Sequence, residues 1–317
     1  MRRSAAGAAR FILGLGTLAA LLALLALLTA CNLRSPEREA LVLTQEAGII
    51  AGTPAAVLQT EPEPQPFTDP VASKVRAIYQ HGQRLGNRRD VFSKIGDSIT
   101  VSTNFLAPIG DNRYNVADFS YLQGVIDHFA AAELRTGNSF NNVSLAATVG
   151  WSANAALDPN QADRTYCLAG ESPLACEYRV NRPAVALIFF GTNDAGFRSP
   201  DEFGADMERI VTLSEEMGVI PVISTIPLRR GMETNIDALN RVIMSTAEAH
   251  QIPLWDYAGM MVALPNGGLS SDNVHPSIGP GGYNSAVDFT PDNLRYGYVM
   301  RNLTALQMLD RVLQYIR

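Results

Sequence analysis

Ala184-Val185-Ala186-Leu187-Ile188-Phe189-Phe190 is an unbroken apolar run, and Gly191-Thr192-Asn193-Asp194 follows it at once. A strand with one wet face alternates apolar and polar residues. A run without alternation suits a central parallel strand covered on both faces. Working outward, Val91-Phe92-Ser93-Lys94-Ile95 reads as a first strand and Val143-Ser144-Leu145-Ala146-Ala147 as a second. On the C-terminal side, Val219 to Ser224 is another strand, and Ile252-Pro253-Leu254-Trp255 a shorter one. Helical spacing lies between them. Phe203, Met207, Ile210, Val211 and Met217 follow Ser199-Pro200; Ile236, Leu239, Val242, Ile243 and Ala247 follow a capping-box pattern from Thr234 to Asp237. Leu303, Leu306, Leu309 and Val312 mark a terminal helix. Alternating strands and helices predict an α/β domain, a parallel sheet with helices on both faces. In such sheets the ligand site lies at the carboxyl ends of the strands.

Polar motifs stand at those ends. Gly96-Asp97-Ser98-Ile99-Thr100 follows the first strand, Gly191 to Asp194 follows the central run, and Asp272-Asn273-Val274-His275-Pro276 precedes the terminal helix. Each alone reads as a turn or a helix cap. Together they supply a Ser, an Asn and an Asp/His pair to one face of the sheet. A Ser hydroxyl needs a neighbouring base to become a nucleophile, and His can serve near neutrality. Asp272, three residues before His275, can fold back to accept the other imidazole N–H and fix the tautomer. An Asn offers a neutral side-chain N–H to a developing oxyanion, where Asp would bring a negative charge.

This set resembles the SGNH (GDSL-like) serine hydrolases, whose blocks carry Ser, Gly, Asn and His in that order. The resemblance runs from about residue 90 to the terminal helix. It implies a three-layer αβα sandwich around a central parallel, flavodoxin-like sheet, and a carboxylic ester hydrolase that needs no metal or cofactor. It implies Ser98 as nucleophile, with Asp272 and His275 as its base system. The implied oxyanion hole is made by the N–H groups of Ser98 and Gly150 and the Asn193 amide. Gly150, within Ala147-Thr148-Val149-Gly150-Trp151-Ser152, is the match for the short, variable Gly block. Asp97 and Asp194 read as loop-holding residues. His81, His128 and His250 have no Asp three residues before them. Gly150-Trp151-Ser152-Ala153-Asn154 nearly matches a Gly-x-Ser-x-Gly nucleophile elbow, but its last position is Asn. The Gly-, Pro-, Asn- and Asp-rich stretch 277–296 is long enough to cover the site as a lid or to pack as a surface excursion.

The ends bound the compartment. Arg2, Arg3 and Arg10 precede an uncharged Leu/Ala run from Phe11 to Ala30, the pattern of an export signal and long enough for a membrane-spanning helix. Leu28-Thr29-Ala30-Cys31 resembles a bacterial lipoprotein signal, which implies cleavage before Cys31 and lipid on it. Residues 1–30 then read as signal peptide, 31–71 as a tether stiffened by Glu61-Pro62-Glu63-Pro64-Gln65-Pro66, and 72–317 as the catalytic domain. The expected location is extracytoplasmic, anchored to a bacterial membrane through Cys31. The formal charge is −6. An acidic chain without Lys/Arg clusters is a poor nucleic-acid partner. Cys167 and Cys176, close together in a Gly/Pro-containing loop, read as a disulfide in an oxidising compartment, or as two buried thiols; no metal site is expected of them.

The leading expectation is hydrolysis of a small-molecule, glycan or lipid ester through an acyl-enzyme: a short-chain acyl ester, an O-acetylated glycan or a lysolipid. An O-acyltransferase would use the same residues with a sugar hydroxyl in place of water. The third expectation is an inactive surface lipoprotein binding glycan or solute, against which the intact Ser/Asn/Asp/His set argues.

Overall fold

The computed structural model describes residues 66–316. The readings on the signal, Cys31 and the tether through Gln65 lie outside the described residues. No helix among the described residues is long and apolar enough to cross a membrane.

The chain enters through helix α1 (Asp69–Leu85), which Gly86 ends in the left-handed conformation. Strand β1 (Arg88–Gly96) follows and delivers Asp97 to a tight turn, α2 (Ser98–Val101). The short turn α3 (Ala107–Gly110) and helix α4 (Gln123–Ala130) come next. Helix α5 (Pro173–Asn181) leads into β2 (Pro183–Phe189), buried at every position, as the unbroken apolar run requires. Then come α6 (Pro200–Glu216), β3 (Ile220–Ser224), α7 (Glu233–His250), β4 (Leu254–Trp255), the short α8 (Tyr257–Met261) and α9 (Gly297–Ile316).

The four strands form one parallel sheet in the order β1-β2-β3-β4, with Ile95 opposite Ile188 and Leu187 opposite Val222. Successive side chains of β1 point to opposite faces. Phe92 meets Phe129 of α4 at a 5.2 Å centroid distance, while Ser93 donates to Glu177 of α5. Helices α4 and α5 therefore cover opposite faces. Helix α9 packs with α1 and α4, and α6 packs with α7, which completes a three-layer sandwich.

Two expectations are corrected. Val143–Ala147 is not a strand; it touches the sheet through one parallel bridge, Ala147 beside Gly96. Side chains have taken its backbone donors: Val143 N–H donates to Thr136 Oγ1, Leu145 N–H to Glu177 Oε2, and Ala146 N–H to Ser144 Oγ. The capping box is also elsewhere. Ser199 and Glu202 form it at the start of α6, whereas α7 begins at Glu233, so Thr234 is already helical and caps nothing. The stretch 277–296 is a packed excursion rather than an open lid. Ala286, Val287, Phe289 and Leu294 are buried, Tyr283 O–H donates to Asp111, and Asn115 N–H and Phe289 N–H bond across to Val287 O and Asn115 O.

Cys167 and Cys176 are joined in a disulfide that ties the preceding loop to α5. Glu171 lies beside the two sulfurs, but sulfurs bonded to each other offer no thiolate to a metal.

Candidate active site

Ser98 opens the turn after β1. Asp97 caps that turn, its Oδ1 accepting the Ile99 N–H at 2.9 Å. Gly96 is required here because a Cβ would come within 2.3 Å of Thr100 Oγ1 and 2.6 Å of Phe189 O. Arg301 of α9, 1% exposed, supports the turn from beneath. Its guanidinium donates to Ile99 O and to Thr100 Oγ1, and stacks 3.7 Å from the Phe105 ring centroid.

The Asp272–His275 segment folds back through Asn273, whose φ of 62° is left-handed. Asp272 Oδ1 accepts the Val274 and His275 N–H groups at 2.9 Å each and the Ser270 hydroxyl at 2.7 Å. Asp272 Oδ2 lies 2.7 Å from His275 Nδ1, and His275 Nε2 lies 2.9 Å from Ser98 Oγ. Burial pushes the Asp272 carboxyl up, but the Val274 N–H, the Ser270 hydroxyl and His275 together pull it far below the usual carboxylate range. An ionised carboxylate can only accept, so Nδ1 carries the imidazole proton and Nε2 accepts from Ser98. The relay faces solvent: the His275 and Asp272 side chains are 39% and 50% exposed.

The two remaining candidates come from neighbouring loops. Gly150, exposed at φ +80°, follows the segment pinned to Gly96 by the Gly96 N–H to Ala146 O and Thr148 N–H to Gly96 O bonds. Asn193 Nδ2 donates to Trp151 O at 2.8 Å, and Asp194 Oδ1 accepts the Ala153 N–H at 3.0 Å. These bonds staple the Gly150 loop to the Asn193 loop on one side and to the end of β1 on the other. The Ser98 and Gly150 N–H groups meet no acceptor among the described residues, and one Asn193 amide hydrogen remains after the bond to Trp151.

Asp97 and Asp194 are both fully buried, and burial raises each carboxyl to about 6 against the pull of one or more backbone N–H donors. In each, Oδ2 has no hydrogen-bond partner. The rival Ser152 is 7% exposed and donates to Asn154 Oδ1, with no histidine on it. The other histidines bond elsewhere: His81 to Glu216 O, His128 to Arg89 O, and His250 to Glu208 and Glu215. Arg301 escaped the sequence reading. The signal available was a polar pair, Arg301-Asn302, at helical spacing from Leu306 and Leu309 on an otherwise apolar face.

Residues 95–278 match the model of the GDSL-like Lipase/Acylhydrolase family. Among solved structures, the chain is similar to a lipase/acylhydrolase from Enterococcus faecalis, with 20% identity, 72% of this chain and 97% of that chain covered, and a TM-score of 0.45. It is similar to a psychrotrophic esterase from a Pseudoalteromonas species at 13% identity, with 72% and 98% covered and a TM-score of 0.43. An acetylxylan esterase from Geobacillus stearothermophilus, solved as a catalytic mutant, matches at 15% identity, 71% and 95% covered, TM-score 0.42. No curated protein matches the chain.

Proposed function

The chain belongs to the GDSL-like lipase/acylhydrolase family, a family of ester-hydrolysing enzymes, and from that premise we propose that it is an extracytoplasmic serine esterase working through an acyl-enzyme on Ser98. The observation that carries this reading is the relay of 2.9 Å from Ser98 Oγ to His275 Nε2 and 2.7 Å from His275 Nδ1 to Asp272 Oδ2.

The chemistry follows from that relay. His275 Nε2 takes the hydroxyl proton as Ser98 Oγ attacks the ester carbonyl carbon. The carbonyl oxygen gains the negative charge, and the Ser98 N–H, the Gly150 N–H and the remaining Asn193 amide hydrogen stabilise it. Collapse expels the alcohol oxygen, which receives the proton from His275 Nε2, and the acyl group stays on Ser98. Water then attacks the acyl-enzyme with its proton passing to Nε2, and Ser98 recovers it as the acid leaves. Asp272 holds the tautomer and stabilises the imidazolium without being protonated itself. The solvent-facing relay admits water to the acyl-enzyme, which favours hydrolysis over transfer to a sugar hydroxyl.

The substrate class is a carboxylic ester outside the cytoplasm: a short-chain acyl ester, an O-acetylated glycan or a lysolipid. The apolar run ending in Leu28-Thr29-Ala30-Cys31 supports anchoring through lipid on Cys31. Release of p-nitrophenol from a series of acyl esters tests the activity and reads the preferred acyl length. Ser98→Ala abolishes release and traps no acyl group detectable by intact-protein mass; full activity in that variant would falsify the assignment. Cys31→Ser moves the protein from the membrane fraction to the soluble fraction if the anchor is as proposed.

A further inference from the structure

A small space lies beside the turn that Ser98 begins. It is a cavity of about 130 Å³, walled by Lys94 of β1, by Thr100, Val101 and Ser102, and by the loop carrying Asn142 and Ser144. That volume is roughly four times a water molecule's share of the liquid. Its wall, mostly apolar and including Val101, Ala107, Val143 and Ala147, carries a few hydrogen-bond donors. Lys94 is 8% exposed, and its ammonium, with three hydrogens, has one acceptor among the described residues, Phe140 O at 2.6 Å. Asn142 is 6% exposed; its Oδ1 accepts from the Thr136 N–H and hydroxyl, and its amide nitrogen has no acceptor. Thr100 and Ser144 hydroxyl oxygens accept from Arg301 and the Ala146 N–H, which leaves their own protons to donate.

The charge balance points the same way. Lys94 and Arg301 are both buried on this face of the sheet, and neither has a carboxylate within ion-pair distance among the described residues. Glu177 acts on Lys94 from the opposite face, where Ser93, the Leu145 N–H and Asn181 already bond it, and Asp97 acts on Arg301 from the cap of the turn. Burial lowers the Lys94 ammonium to about 8, against the opposing pull of Glu177, so the amine still carries charge at neutral pH. Buried cations are ordinarily paired, because an unpaired one is costly. The Lys94 ammonium borders this cavity together with the Asn142 amide.

We propose that this cavity binds a small oxyanion, a carboxylate or phosphate group, held by the Lys94 ammonium and the Asn142 amide within one turn of Ser98. Carried on the substrate, such a group makes the enzyme selective for anionic esters, a deepening that rests on the esterase reading above. Supplied as a free ion, it is a stabilising ligand independent of that reading.

The test uses two independent readouts. The first is the ratio of kcat/KM for a mono-p-nitrophenyl succinate ester to that for neutral p-nitrophenyl butyrate. The second is the melting temperature in inorganic phosphate or acetate against chloride at equal ionic strength. A substrate-borne anion gives a ratio above one that falls about 10- to 100-fold in Lys94→Met, the scale of one charge-assisted hydrogen bond. A free anion gives a ratio near one but a melting-temperature rise in phosphate or acetate that Lys94→Met loses. Asn142→Asp is the second variant, which guards against a Lys94 variant that does not fold. It keeps the oxygen that Thr136 needs, removes the amide donor and adds a negative charge, so it abolishes the same preference. A wild type with no charge preference and no anion-specific stabilisation overturns the proposal, as does a preference that survives both substitutions. Failure to cleave the neutral ester would instead count against the esterase reading, and the melting readout would still judge the cavity.

Discussion

At the scale of single residues, the site divides into side chains that were legible and side chains that were not. Ser98, Asn193, Asp272 and His275 sit in short motifs whose spacing is local, so the sequence pointed to them directly. Arg301 and Lys94 acquire their meaning only from segments brought together by the fold, Arg301 with Ile99 across 202 residues and Lys94 with Phe140 across 46. Asn193→Ala is expected to lower kcat by about 100- to 1,000-fold with a smaller change in KM, because one donor to the oxyanion is lost; steady-state kinetics on a p-nitrophenyl ester measures it, and an unchanged kcat removes Asn193 from the oxyanion hole. Asp97 makes a second expectation. Its carboxyl is held near 6 when folded, chiefly by burial, against about 4 in an unfolded chain. Between those values the folded protein keeps a proton that the unfolded chain has released, so this group's contribution to stability is present below pH 4 and lost as pH rises through 6. Asp97→Asn keeps the acceptor for Ile99 and removes the titration. Relative to wild type it should gain about 1–3 kcal/mol between pH 4 and pH 7, read by urea unfolding at the two pH values; parallel curves for the two proteins would contradict it.

At the scale of elements, apolar patterning was enough for β1, β2, β3, α6, α7 and α9, because each buries a face large enough to dominate its own sequence; it also found the two-residue β4, where Trp255 alone is buried. It failed where side chains outcompeted the backbone. Val143–Ala147 has strand composition, but Thr136, Glu177 and Ser144 take the N–H groups that a strand would have offered to β1. The Thr234-to-Asp237 pattern failed because the helix starts two residues earlier, at Glu233 behind Met232, with Glu233 accepting the Gly231 N–H. The cap at Ser199 is reciprocal: its hydroxyl accepts the Glu202 N–H at 3.3 Å, and the Glu202 carboxylate accepts the Ser199 N–H at 2.9 Å. Ser199→Ala should cost about 1 kcal/mol of stability with ester hydrolysis unchanged, as denaturant titration would report. A loss much below that would mean the cap is replaced by water at no cost.

At the scale of the whole domain, the three-layer architecture followed from strand–helix alternation, and the pairing of Cys167 with Cys176 from their even number and closeness. The disulfide closes a short loop, with a sequence separation of 9. Beside it Leu145 and Ala162 are buried against the bridge, and Arg179 pairs with Glu171 at 2.7 Å. Loop-closure entropy assigns such a bridge about 2–3 kcal/mol. The Cys167→Ser/Cys176→Ser double variant should lose that amount in urea, and reductant should lower the wild-type melting temperature while leaving the variant's unchanged; equal melting with and without reductant would show the bridge carries no stability.

Helix α9 binds the surroundings of Ser98 from 196 to 202 residues away in the chain. Arg301 holds Ile99 O and Thr100 Oγ1, and Asn302 accepts the Leu106 N–H while donating to Asn104 O and Ala286 O. The relay histidine itself comes only 22 residues before that helix begins. A growing chain on the ribosome therefore possesses Ser98 long before it possesses His275, which bonds it, or Arg301, which holds its turn. On the proposed reading, ester hydrolysis waits until the segments carrying His275 and α9 have both been made.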